Sequence, residues 1–354
     1  MDRISKLNQL RKDKDLEAIM ITSKKNRFYF SGFTGTAGKI LITETNNYFI
    51  TDFRYIDQAN DQTEGLEIIE ISKNKNKNLI KFFNDKGLTS IGFEDGDLSY
   101  KEYQELKNFD TEIEYSPLSD EINEFRKVKD DREIEIIKEA IKITEKAFDK
   151  IITYIEPGMK EREVAAELEY YLRKLGGEGP SFDFIVASGK RSALPHGVAS
   201  DKIIETGDFV TLDFGTYYRG YCSDMTRTIV VGEPDDRQVE IYNTVLKAHL
   251  EVIEKIKPGM TGQEADQIAR DIIEKAGYGD NFGHGLGHGL GIEVHEAPRL
   301  STTSEEVLKP GMIVTDEPGI YIQDWGGVRI EDDLVITEDG CKSLNNSNKK
   351  LIIV

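Results

Sequence analysis

The stretch IEPGMKEREVAAELEYYLRKLGG (155–177) is echoed by IKPGMTGQEADQIARDIIEKAGY (256–278). Each copy follows a helical segment, EIIKEAIKITEKAFDKIIT (135–153) before the first and QVEIYNTVLKAHLEVIEK (238–255) before the second. Each is followed by a histidine-containing stretch, SALPHG (192–197) and GLGHGLGIEVHE (285–296). Each then reaches an apolar strand that ends in an acid, VTLDFG (210–215) and IVTDEPG (313–319). Asp213 and Glu317 fall at matching places, and Asp224 and Glu331 match more loosely. Agreement in the order of helix, turn, histidine and acid makes coincidence a poor explanation. Tandem-repeat architectures need more than two copies. The echo therefore predicts a pseudo-twofold unit of two similar halves, with the acids converging at its centre.

Upstream of the echo the pattern changes. Residues 3–14 are amphipathic, with Ile4, Leu7 and Leu10 at helical spacing. Short apolar runs follow, AIMIT (18–22), KILIT (39–43) and NYFIT (47–51), with Gly and Thr turns at FSGFTGTAGK (30–39). This alternation predicts a small α/β domain. It ends where EINEFRKVKDDREIEII (121–137) opens a strongly charged helix, which sets the expected domains at 1–121 and 122–354. The expected class is α+β, a larger C-terminal unit preceded by a smaller α/β domain.

Length and composition agree. A chain of 354 residues is long for one domain and natural for two. An apolar fraction of 38% fills sizeable cores, which argues against a disordered or fibrous chain. No apolar run approaches the roughly 18 residues of a membrane helix, and MDRISKLNQLRKDKD lacks the apolar core of a secretory signal. Only Cys222 and Cys341 are present, too few for a disulfide framework, so a reducing, cytoplasmic compartment is expected. A net charge of −19 argues against nucleic acid or an anionic membrane as partner.

Within the second domain, Gly215 and the YYRGY segment suit a hairpin that brings Asp213 and Asp224 to one place. GIYIQDWGGVRI separates Glu317 from Glu331, with Gly326-Gly327 as the expected turn. His288 adds a nitrogen from a glycine-rich segment where backbone can approach closely. Taken singly, each acid reads as a strand-end cap, and RIEDD (329–333) as a solvated charge run. Together, four carboxylates and one imidazole form a hard, oxygen-rich donor set. Such a set repels itself unless cations neutralise it, and it suits two divalent ions, Mn(II), Co(II) or Fe(II), better than structural zinc.

The segments LDFG, SDMTRT, GHGLGHGLGIEVHE, TDEPGIY and GGVRIEDD resemble the pita-bread metallopeptidases, a family that includes X-Pro dipeptidases (prolidases), aminopeptidase P and methionine aminopeptidase. SKKNRFYFSGFTGTAG and TDFRY look like the N-terminal domain of the prolidase and aminopeptidase P branch. The resemblance implies a dinuclear hydrolase that cleaves X-Pro peptides, with two divalent ions, most simply Mn(II), and a homodimer. By that resemblance Asp213 would hold one ion, His288 and Glu317 the other, and Asp224 and Glu331 both. Glu317 would also shuttle a proton. His295 would donate to the scissile carbonyl, His196 would line the proline pocket, and His284 would sit at its edge. Arg329 would hold carboxylate geometry, and Arg299 would hook the substrate's C-terminal carboxylate. A carboxylate hook favours dipeptides, and aminopeptidase P action on longer X-Pro peptides stands as the alternative.

Two positions fall outside this pattern. Asp316 stands where the family ordinarily has an apolar residue, and is expected to alter strand packing or to face solvent. His249, in helical LKAHLEV, is expected to be structural.

Overall fold

The computed structural model describes residues 2–354 as two compact units, the first ending at Arg126 and the second spanning Lys127–Val354. The division lies a few residues beyond the expected 121/122. Helix Ser119–Lys127 packs into the first unit, where Ile122 is fully buried and the Phe125 ring meets Phe30 edge-on.

The first unit is a six-stranded sheet. Its strands are β1 (Ala18–Ile21), β2 (Lys39–Thr43), β3 (Asn47–Thr51), β4 (Glu67–Glu70), β5 (Ser90–Phe93) and β6 (Glu114–Pro117), in spatial order β4-β3-β2-β1-β5-β6. The three apolar runs read from the sequence are β1, β2 and β3. They pair antiparallel, whereas β4, β5 and β6 join in parallel and arrive by helical crossovers. The amphipathic N-terminal segment is the helix Arg3–Asp13, capped by the Asp2 side chain on the Ser5 N–H.

In the second unit the echo is structural. Helix α1 (Asp131–Ile151) begins with a capping box between Asp130 and Glu133, and α3 (Asp236–Lys255) begins with the same device between Asp235 and Gln238. The helices of the echoed stretches are α2 (Glu161–Lys174) and α4 (Gly262–Lys275). Each is entered through a PGM turn bonded in the same way. Gly158 N–H donates to Ile204 O and Ile204 N–H to Met159 O, while Gly259 N–H donates to Leu308 O and Leu308 N–H to Met260 O.

The strands repeat the scheme. In the first half, β7 (Phe209–Phe214) pairs antiparallel with β8 (Met225–Val230), and in the second, β9 (Ile313–Asp316) pairs antiparallel with β10 (Asp332–Ile336). Each half has its own core. Phe148, Leu168, Leu172, Leu212 and Ile229 are buried in one, and Tyr242, Val245, Val252, Ile273 and Leu334 in the other. At roughly 1.5–3 kcal/mol per large apolar side chain, these faces drive the assembly.

Between its paired strands each half makes an excursion. In the first it is the hairpin of Thr216–Tyr218 with Tyr221–Cys222. In the second it is Gly319–Ile322 paired with Gly326–Arg329. The expected Gly-Gly turn is therefore displaced: Gly326 and Gly327 lie in a strand, and the reversal runs through residues 323–325, with Asp324 at φ 60°. Gly327 is needed for a different reason, because a Cβ there would lie 2.4 Å from the Ser192 carbonyl oxygen.

Candidate metal centre and active site

The fold sets the acids at strand ends. Asp213 occupies the penultimate position of β7, and Asp224 immediately precedes β8. Glu317 immediately follows β9, and Glu331 immediately precedes β10. Thr226 ties the halves together: its carbonyl accepts from the Glu331 N–H at 3.1 Å, and its hydroxyl donates to Glu331 Oε2 at 2.6 Å. His288 comes from the strand Gly287–Gly289. A Cβ at position 287 would lie 2.1 Å from the Thr315 carbonyl oxygen, so only glycine lets that strand approach β9.

These side chains line one cavity of about 490 Å³ together with His196, His284, His295, Arg299 and Arg329. All ten side chains singled out in the sequence thus meet in one place. Asp224, His288 and Glu331 each offer a ligand atom within 4.8 Å of the others. Glu317 Oε1 lies 3.4 Å from His288 Nε2. Asp213 Oδ2 accepts from Arg329 Nη2 at 2.5 Å.

The electrostatics are those of anions crowded together away from water. Burial, then Glu331 and Asp213, push the Asp224 carboxyl well above its usual range. Burial, then Glu317 and Asp213, do the same to Glu331. Glu317 is raised to about 8 by burial, with Arg329 partly opposing. His288 is lowered to about 3 by burial and by His295, whose ring centroid is 4.4 Å away. A neutral imidazole among carboxylates is a ready metal ligand. Asp213 Oδ1 and Asp224 Oδ1 are buried with no hydrogen-bond partner, an expensive state. Orphaned anionic oxygens, mutual repulsion and one neutral nitrogen fit hard divalent cations.

Several supporting residues carry no motif in the sequence. The Thr315 hydroxyl accepts from the His288 N–H at 3.0 Å and donates to Glu317 Oε1 at 3.2 Å. Asp333 Oδ2 accepts from the Asp224 N–H at 3.1 Å. The Tyr321 hydroxyl meets His284 Nε2 and Arg329 Nη1, each at 2.8 Å. Arg227 Nη1 donates to the Glu331 carbonyl at 2.6 Å, and its Nη2 to Asp332 Oδ1 at 2.8 Å. Strand alternation does not mark Arg227, Thr315 or Asp333, because β8, β9 and β10 are buried along their whole length. In RIEDD, Arg329, Glu331, Asp332 and Asp333 are all buried, so the segment is not a solvated run.

Asp316 does not face solvent. It and His249 are both completely buried, with Nδ1 2.9 Å from Asp316 Oδ2 and Nε2 3.4 Å from Asp332 Oδ2. These are ion-pair contacts without hydrogen-bond alignment. Burial opposes charge on His249, but Asp316 and Asp332 outweigh it and raise the imidazole to about 9. The polar residue on the strand is thus answered by a histidine on α3, directly behind Glu317 and Glu331.

A buried pair of this kind is costly to break and cheap to replace. His249→Leu is expected to destabilise the protein by about 3–5 kcal/mol, and His249→Leu with Asp316→Val to recover most of that loss. Thermal midpoints of the metal-loaded variants measure both. A double variant as unstable as the single one would contradict the pairing.

Comparison with known proteins gives a consistent result. Residues 135–338 match metallopeptidase family M24, and residues 3–128 match the creatinase/prolidase N-terminal domain. A Pyrococcus horikoshii protein named Xaa-Pro dipeptidase is 44% identical over 99% of both chains. A solved Xaa-Pro dipeptidase from Bacillus anthracis superposes with a TM-score of 0.96 at 50% identity, covering 99% of each chain. A solved X-Pro aminopeptidase from Thermotoga maritima gives a TM-score of 0.93 at 40% identity, covering 99% of this chain and 100% of that one.

Proposed function

Because the chain belongs to metallopeptidase family M24 and carries a creatinase/prolidase N-terminal domain, we propose that it is an Xaa-Pro dipeptidase dependent on two divalent cations. The observation that carries this reading is one cavity holding a buried acid cluster with a neutral histidine and, on its lining, the exposed Arg299. Arg299 sits directly opposite His288 in the pairing of Gly287–Gly289 with Glu296–Leu300, which keeps its cation beside the cluster.

Asp213, Asp224, His288, Glu317 and Glu331 would hold the ions. Bound divalent ions supply Lewis-acid polarisation of the scissile carbonyl and acidify water. The remaining work belongs to side chains. Glu317 Oε takes a proton from the attacking water and returns it to the departing proline nitrogen, which as a tertiary amide has no hydrogen of its own. His295, whose positive charge burial and Arg299 disfavour, donates a hydrogen bond to the carbonyl oxygen. His196 lines the space for the pyrrolidine ring. His284 is lowered to about 4 by burial and then by Arg329, so it stays neutral at the pocket edge, tied to Tyr321. Arg329 holds Asp213 in place.

The donor set favours Mn(II), with Co(II) and Fe(II) as the alternatives. Metal-titrated cleavage of Gly-Pro, Ala-Pro and a proline-containing tripeptide tests metal, reaction and length together. Failure of every metal to support hydrolysis of Gly-Pro and the tripeptide would refute the reading.

The second reading is aminopeptidase P action on longer peptides, which the likeness to the Thermotoga maritima X-Pro aminopeptidase supports. Arg299 separates the two. Arg299→Ala is expected to raise KM for Gly-Pro by roughly tenfold or more, the value of one charge-assisted contact, with little change in kcat. The same variant should leave tripeptide kinetics unchanged. Equal KM values for Gly-Pro in both proteins would remove the dipeptide argument and favour the aminopeptidase.

No helix among the described residues is long and apolar enough to cross a membrane, and both cysteines are free. A cytoplasmic homodimer that binds neither nucleic acid nor membranes completes the proposal, with size-exclusion chromatography as the check on the dimer.

A further inference from the structure

The N-terminal unit has a cavity of its own, of about 270 Å³, lined only by residues between Thr22 and Glu102. Part of its lining is apolar, from Ile50, Ile71, Leu79 and Leu98. Six of the other lining residues carry charge, and three of these, Asp52, Lys75 and Glu102, are already answered. Asp52 accepts from Arg54 at 2.8 and 2.9 Å and from Lys75 at 3.0 Å. Glu102 accepts from the Ser99 N–H and hydroxyl at the start of a helix.

Three charged groups on the lining are not answered. Arg27 is only 5% exposed, a depth at which a guanidinium is ordinarily fully paired. Yet only its Nη1 is engaged, on the Thr22 carbonyl, and its Nε has no partner. The half-buried Lys39 ammonium and the exposed Asp97 carboxylate have no hydrogen-bond or ion-pair partner among the described residues. The three groups lie close enough to act on one another. Burial disfavours charge on Lys39, Glu102 and then Asp97 favour it, Arg27 opposes it and Glu94 favours it, while burial disfavours charge on Arg27 and Asp97 and then Glu94 support it.

Two underused cations, one free carboxylate and an apolar wall are the complement of a small zwitterion. We propose that this cavity binds a free α-amino acid with a short apolar side chain. Arg27 and Lys39 hold its carboxylate, Asp97 its ammonium, and Ile50, Ile71, Leu79 and Leu98 its side chain. The volume is below the roughly 300–1,000 Å³ of pockets for larger ligands, which suits an amino acid better than a peptide. The site belongs to the N-terminal unit and shares no residue with the acid cluster, so it stands whatever the peptidase cleaves.

Isothermal titration of L-leucine into the full-length, metal-loaded protein tests it. Lys39→Met and Asp97→Asn are run alongside, with Arg27 left intact because it bonds the Thr22 carbonyl. The wild type is expected to bind L-leucine, and each substitution to weaken that binding at least tenfold while Gly-Pro hydrolysis is unchanged. N-acetyl-L-leucine, which lacks the ammonium, should bind the wild type at least tenfold more weakly than L-leucine does. The proposal is overturned if the wild type does not bind L-leucine at millimolar concentration. It is equally overturned if both variants bind it as the wild type does, or if the acetylated probe binds as well as the free amino acid.

Discussion

Glu331→Gln is expected to lower kcat/KM for Gly-Pro by roughly 10³-fold or more and to reduce the number of tightly bound divalent ions. The substitution is nearly isosteric, and the backbone around it stays held by Thr226 and Arg227, so the fold is retained. What is lost is one anionic donor from the group that Glu331 forms with Asp224 and His288. The sign of the stability change separates this role from a structural one. Glu331 is 2% exposed and is repelled first by Glu317 and then by Asp213. Removing its charge should therefore make the metal-free variant more stable than the metal-free wild type, while activity collapses. That opposition of stability and function is the signature of a strained site. Metal analysis, steady-state kinetics and thermal midpoints with and without chelator give the three readings. A variant that keeps activity within tenfold would end the assignment of Glu331.

Chelation of the wild type should make stability fall with rising pH more steeply than in the metal-loaded protein, where cations replace the protons of the acid cluster and His249 still titrates. Glu317 is raised from 4.5 to about 8. The folded state then binds more protons than the unfolded chain between those values, and stability falls as pH rises through them. Asp224 and Glu331 are shifted in the same direction, and the cluster titrates as a coupled unit. His249, raised from 6.5 to about 9, adds stability below 6.5 that is lost toward 9, which is again the same sign.

Three histidines oppose this. His288 and His284, lowered to about 3 and about 4 from 6.5, and His295, lowered by burial and Arg299, make stability rise with pH, but only up to 6.5. The fall is therefore unopposed by them from pH 6.5 to 8, and it amounts to roughly 2 kcal/mol for each proton released over those 1.5 pH units. Thermal midpoints measured in chelator across that window should drop steadily, and saturating Mn(II) should make the profile shallower by replacing protons with cations. A metal-free midpoint that stays level or climbs from pH 6.5 to 8 would show that the carboxylates do not crowd one another.

Both results depend on chemistry written locally in the chain. The echo of PGM turn, helix, histidine and strand-end acid was visible because each of its parts is a short-range pattern. Apolar strands and glycine-rich turns are set by neighbours a few residues away, and they put Asp213 and Glu317 at matching strand ends, with Asp224 and Glu331 matching more loosely. The three N-terminal strands were legible for the same reason. The positions that misled depend on distant partners. Gly326 and Gly327 looked like a turn, but the glycine at 327 answers the Ser192 carbonyl oxygen, far away in the chain. Asp316 looked like a candidate for solvent, yet it is buried against His249.

Local order in the chain settled which residue types carry the chemistry and in what succession they come. Three-dimensional packing settled how far each is stripped of water and which charges stand unanswered. That is why the orphaned oxygens of Asp213 and Asp224, the neutral state of His288 and the underused guanidinium of Arg27 could be seen only in the folded chain. Burial and electrostatic coupling are properties of everything that surrounds a group, and most of those surroundings come from elsewhere in the chain.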